Sequence, residues 1–111
     1  MKVTITSITL KGPLKFFALS ASALQIIKQL RSTQCREFKK RGIWTTHYTM
    51  TLWNSEQELQ AFARSGAHLK AMQASKKIAK EIRTLTIDAD TLPDWKTAIQ
   101  RLEKAKVLRF E

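Results

Sequence analysis

The chain has 111 residues, 43% of them apolar, one cysteine and a net charge of +11. That length suits one domain around one core, and the lone Cys35 excludes an internal disulfide. No window reaches the roughly 20 continuous apolar residues of a membrane span, and the charge favours acidic partners (nucleic acid, anionic metabolites, an anionic surface) without fixing a fold.

Taken in chain order, Lys2 to Leu10 is rich in Val, Ile and Thr and alternates as a half-buried strand does. It has neither the apolar stretch nor the cleavage site of a signal peptide, so a cytoplasmic protein is expected. Gly12-Pro13 ends it. From Leu14 to about Arg31, Phe16, Leu19, Ala23, Ile27 and Leu30 recur at spacings of three and four, which predicts an amphipathic helix. Gln34 to Lys39 reads as a short strand with Cys35 and Glu37 on one face, and Gly42 as the turn after it. Cys35 is read as an ordinary strand residue, since nothing in the sequence supplies a base beside it.

A long strand is predicted from Ile43 to Trp53, and its period of two separates two faces. Trp44, Thr46, Tyr48, Met50 and Leu52 make a mostly apolar face suited to packing against helices. Ile43, Thr45, His47, Thr49, Thr51 and Trp53 make a mixed face of hydroxyls and one imidazole, the chemistry of a cavity wall. Asn54 then turns the chain, and Ser55 with Glu58 forms a capping box for the next helix. That helix buries Leu59 and Phe62 and breaks near Ser65-Gly66. A further helix runs from about Ala67 to Arg83, with Leu69, Met72, Ala79 and Ile82 inward. Thr84 to Ala89 alternates as a strand, Leu92-Pro93-Asp94-Trp95 opens a last helix, and Val107 to Phe110 closes as a short strand.

The order β-α-β-β-α(α)-β-α is that of an α+β, ferredoxin-like split βαβ sandwich with an antiparallel sheet and an extra C-terminal helix. Such a sheet carries helices on one face, and a second copy is the expected cover for the other. Two basic clusters, Lys28 to Arg41 and Lys70 to Arg83, read as solvated surface.

The run from Trp44 to Met72, with Trp53 ending a strand and Ser65-Gly-Ala-His68 in the helix, resembles the dimeric α/β-barrel superfamily. Within it, the antibiotic-biosynthesis-monooxygenase-like proteins and a branch related to spheroidene monooxygenase are the nearer likeness, and Leu92 to Trp95 is similar to that branch too. The resemblance implies a homodimer forming a dimeric α/β barrel, with a cavity in each subunit. It implies activities ranging from cofactor-independent oxygenation of aromatic substrates to haem chemistry. The haem degraders' Trp and His would fall at Phe62 and Met72, so that activity is set aside; haem binding in general stays open, with no axial ligand to assign.

The expected function is therefore a small-molecule-binding protein, monooxygenase-like, acting on a hydrophobic or aromatic ligand. His47 and His68 are the candidate catalytic bases; Thr45, Thr49, Trp53 and Glu37 are the candidate ligand contacts. No cluster has metal-ligand spacing. A nucleic-acid-binding module is the alternative, but the third strand lacks the aromatic run of RNA-recognition motifs. A noncatalytic dimer is the other alternative, and no membrane is counted among the partners.

Overall fold

The computed structural model describes the chain except residues 32, 34, 65, 110 and 111 and the side chains of residues 22, 43, 67, 75 and 76. The predicted roles of Gln34, Ser65 and Phe110 as boundaries therefore lie outside the described residues. Five strands, β1 (Lys2–Leu10), β2 (Glu37–Ile43), β3 (Thr46–Trp53), β4 (Ala79–Asp88) and β5 (Lys106–Arg109), form one sheet in the order β2-β3-β1-β4-β5. Every neighbouring pair is antiparallel. Four helices connect them: α1 (Phe16–Arg31), entered through a 3-10 turn at Pro13–Lys15, then α2 (Glu56–Ala63), α3 (Gly66–Ile78) and α4 (Trp95–Leu102). This is the expected α+β, ferredoxin-like arrangement, widened by β5.

The alternation of β1 decides what each face of the sheet becomes. Val3 and Ile5 are fully buried, and Ser7 is nearly so. Their neighbours in register are Leu52, Met50 and Tyr48 on β3, and Ile87, Leu85 and Arg83 on β4. Onto this apolar face packs α4, through Trp95, Ala98 and Leu102. Asp94 caps that helix by accepting from the Thr97 N–H at 2.7 Å. At its other end, Arg83 Nη1 donates to the carbonyls of Leu102 and Glu103 (3.3 and 2.9 Å), where the helix leaves acceptors unpaired. Glu81 steadies the guanidinium at 2.7 Å.

The other helices flank the opposite face. Leu30 of α1 and Leu59 and Phe62 of α2 close around Trp53, with Ile26 and Phe38 against them. Helices thus stand on both sides of the sheet, not one. The expectation of a single helical face fails because the stripe Trp95, Ala98, Leu102 finds its apolar partner in the chain's own sheet.

Three further boundaries differ from the sequence reading. The strand predicted over 43–53 is broken by a two-residue hairpin turn at Trp44-Thr45, since Ile43 pairs with Thr46. Trp44 adopts a φ of +55° and is 80% exposed, so it belongs to no core. Such turns favour Gly or Asn at positive φ, and with neither present the period of two reads straight through. Gly42, expected as the turn, lies within β2 instead. Lastly, α3 ends at Ile78 and β4 begins at Ala79, which pairs with Leu10. Ala79 and Ile82 keep helical spacing, yet the Lys11 N–H to Ile78 carbonyl bond (2.9 Å) ties this point to the end of β1. Arg83, expected on a solvated helix face, is instead the α4 clasp.

Replacing Arg83 by Met keeps the aliphatic stem and removes the clasp. Loss of these charge-assisted bonds should cost about 1–3 kcal/mol in urea denaturation, and Lys106→Met, exposed on β5, should cost much less.

Candidate functional site

The face of β3 turned toward α1 and α2 carries His47, Thr49, Thr51 and Trp53, and the register extends it across the sheet. Thr51 stands beside Thr4, and Thr4 beside Thr86; Thr49 stands beside Thr6, and Thr6 beside Thr84. Two rows of hydroxyls result, one step apart along the strands. Thr4 and Thr86 approach to 3.2 Å. The β4 members are exposed and those of β1 and β3 half-buried, so the array runs from open solvent to beneath the helices. Of these hydroxyls, the sequence pattern singles out only those of β3. The same spacing in Lys2-Val-Thr4-Ile-Thr6 and in Thr84-Leu-Thr86 was the available signal for the rest.

Trp53 closes one end of this face. It is 1% exposed, stacks against Phe62 at 5.2 Å, and donates its indole N–H to Thr51 Oγ1 at 2.8 Å. It is a packing anchor that also orients a hydroxyl of the array.

His47 stands at the other end, opposite Ile8 and Gly42. The Phe16 ring lies against it, centroids 5.6 Å apart. A Cβ on Gly42 would come within 2.6 Å of His47 Nδ1, so only glycine at that point of β2 lets the imidazole lie flat. Nε2 is buried and has no hydrogen-bond partner. Burial pushes the His47 pKa below its ordinary 6.5, partly offset by a backbone hydrogen bond at Trp44. A neutral imidazole with an uncommitted nitrogen is a competent base or hydrogen-bond partner near neutral pH. Among the described residues, Glu58 Oε2 is the other buried side-chain oxygen or nitrogen without a partner, at the start of α2, where Ser55 accepts from the Glu58 N–H at 3.3 Å.

His68 sits far from His47, beside the Trp53 end. Its Nδ1 donates to the Ala63 carbonyl at 3.1 Å and its ring packs on Phe62 at 4.9 Å. Gln29 of α1 ties the same junction, accepting from the His68 N–H at 2.9 Å and donating to the Phe62 carbonyl at 3.3 Å. The two histidines lie at opposite ends of β3 and form no pair; the geometry of His68 is that of a clip between α2 and α3.

Two proposed contacts stand elsewhere than expected. Thr45 belongs to the hairpin turn, its carbonyl accepting from the Leu10 N–H at 2.8 Å, because the strand starts only at Thr46. Glu37 pairs with Leu52, which places it on the apolar side of the edge strand, 3.8 Å from Lys39 Nζ. The expected shared face of Cys35 and Glu37 is absent because Cys35 precedes β2 and packs by the Trp53 cluster. Its thiol donates to the Glu37 carbonyl at 3.3 Å, and burial raises its pKa, an inert setting. Among the described residues no group of His, Cys, Asp and Glu could hold a metal ion, and no helix is long and apolar enough to cross a membrane.

A helix-flanked antiparallel sheet with this element order is the fold of the monooxygenase-like ferredoxin proteins, and solved structures agree. A crystal structure of an antibiotic biosynthesis monooxygenase superposes with a TM-score of 0.72 at 11% identity, covering 84% of this chain and 100% of that one. A candidate antibiotic biosynthesis monooxygenase from Deinococcus radiodurans gives 0.72 at 10% identity, covering 85% and 97%. Another, from Nitrosomonas europaea, gives 0.71 at 14%, covering 82% and 100%. Identities this low speak for the fold alone. Residues 18–107 match the family described as "Domain of unknown function (DUF3291)", and the chain belongs to that family. No curated protein matches it.

Two outcomes follow from this geometry. In Gly42→Ala the His47 ring must move out of its recess, so its NMR-titrated pKa should rise toward 6.5 while stability drops by about 1–3 kcal/mol. Stability should also fall as pH drops below about 6.5. The folded-state pKa of His68 is depressed by burial, so the unfolded chain takes up the proton first and gains on the folded state. His68→Gln should flatten that slope just below pH 6.5. The depressed carboxyls of Glu81, Asp88 and Asp94 act only lower, from ordinary values of 4.5 and 3.8.

Proposed function

We propose that this protein binds a small hydrophobic or aromatic molecule against the threonine face and acts on it as a monooxygenase-like enzyme, with His47 as the base. The observation that carries the reading is the buried, unpartnered Nε2 of His47. An orphaned polar atom costs roughly 1–3 kcal/mol, and a ligand hydroxyl or N–H placed there would recover it. Phe16 already holds an aromatic ring against the imidazole. Because Phe16 belongs to the first turn of α1 and is 46% exposed, it can yield its place to a ring of the ligand. The hydroxyls of Thr49, Thr6 and their neighbours then orient the polar substituents.

The chemistry this arrangement supports is deprotonation of an electron-rich phenolic hydroxyl. His47 Nε2 takes the proton, and the anion passes one electron to dioxygen. The resulting radical and superoxide join at a ring carbon bearing hydrogen, the imidazolium returns its proton to the peroxide, and loss of water leaves one oxygen atom on the ring as a quinone carbonyl and the other in the water. His68, already bonded to Ala63, holds the helix junction. We assign the same reading a pair of copies, each a single ferredoxin-like unit. A second chain would cover the part of the sheet left open beside Thr84, Thr86 and the 52% exposed Leu108.

Oxygen uptake with a panel of hydroquinones tests the reading. His47→Gln should lower the rate about 100-fold or more, while ligand affinity changes by less than roughly tenfold. Equal oxygen uptake by variant and wild type would remove His47 from the chemistry. Light scattering at twice the chain mass is expected; a monomer would remove the paired assembly.

A further inference from the structure

The hairpin turn at Trp44-Thr45 and the entry to α1 meet at one end of the sheet, joined by the Leu10 to Thr45 hydrogen bond and by the contact of Phe16 with His47. There the chain displays Leu14, Phe17 and Trp44 at 79, 72 and 80% exposure. Trp44 is costly twice over. An indole is left in water, and a non-glycine residue is held at a φ of +55°, worth roughly 1–3 kcal/mol of strain. Folding gains nothing visible from it.

The charge is unevenly placed around these side chains. Lys11, Lys15, Arg41, Lys77 and Lys80 are exposed near this end, where Lys11 meets the last residue of α3 and Leu10 meets Ala79. Glu81 also lies at this end, paired with Arg83 and Arg109. Glu37, Glu56, Asp88 and Asp90 sit at the opposite end, around Leu52, Trp53, Lys2 and Met1. Protruding apolar tips flanked by exposed cations complement an anionic bilayer, which takes indole and phenyl rings at its headgroup level and attracts each nearby cation.

We infer that this end of the molecule docks on an anionic lipid surface, inserting Trp44, Phe17 and Leu14. A second copy of the same patch would bring like charges together. Single-stranded nucleic acid is the poorer fit, because base stacking wants flat aromatic platforms and Leu14 is aliphatic. The inference stands apart from the catalytic role of His47: it extends the partners beyond those expected from sequence and uses none of the residues assigned to chemistry.

Sedimentation with vesicles of phosphatidylcholine, with and without about one third phosphatidylserine, is the test. Binding is expected only to the mixed vesicles, weakened by salt, with a blue shift of emission that Trp44→Phe removes while binding persists. The triple variant Leu14→Ser, Phe17→Ser, Trp44→Ser should bind at least about tenfold more weakly, as should the pair Lys15→Glu, Arg41→Glu. Absence of binding to mixed vesicles at low salt would overturn the inference. So would equal binding by the triple variant, its conversion from dimer to monomer, or wild-type retention on single-stranded DNA in place of vesicles.

Discussion

Strand β1 has to satisfy two unlike environments at once, and the rest of the molecule follows from how it does so. It is the middle strand, paired along its length on both sides, so each of its side chains sets a row of the sheet. Odd positions Val3 and Ile5 set rows that α4 must cover, and removing them from water supplies the apolar core. Even positions Thr4 and Thr6 set the hydroxyl rows under the other helices. A slip of one residue would exchange the two faces, turning Val3 and Ile5 toward the threonines of β3 and stripping α4 of its partner. The site and the core are thus two readings of one register.

That shared origin explains what the sequence disclosed. The two faces of β3 from Thr46 onward, the break between α2 and α3, and the cap at Ser55 are local patterns, and each appears where expected; the last helix also starts where expected, but with Asp94 as its cap and Pro93 ahead of it rather than in its first turn. The misplacements share a different cause: tertiary contacts overrode a local period. Trp44 continued the strand alternation but turns instead. Gly42 looked like the turn because glycine often is, yet its missing side chain is used to admit the His47 ring. Ala79 and Ile82 extended a helical stripe, but pairing with β1 claims them as strand. The hydroxyl rows were half visible because a single strand shows its own threonines, whereas only register shows which strands bring theirs alongside.

The two histidines looked alike in sequence, each a lone imidazole near polar residues. The structure separates them by their partners. Burial lowers the pKa of both, so basicity alone does not distinguish them. His68 has spent its Nδ1 on a backbone carbonyl and its ring on Phe62, which makes it part of the hinge between two helices. His47 keeps Nε2 unspent in a recess that one glycine and one phenyl ring define. An atom left unpaired in the interior is a standing cost unless something fills it, and that cost is the physical ground for placing chemistry at His47.

Phe16 and Phe17, adjacent in sequence, face these two problems separately. Phe16 lies against the imidazole though it is still 46% exposed; Phe17, edge-on to it with centroids 6.2 Å apart, joins Trp44 and Leu14 in water. The first turn of α1 therefore links the recess to the exposed tip. A bilayer that took up Phe17 would pull on the helix turn that seats Phe16, and a ligand that displaced Phe16 would shift Phe17 in return. Any link between the two runs through this one helical turn, and its free energy is reciprocal whatever its sign.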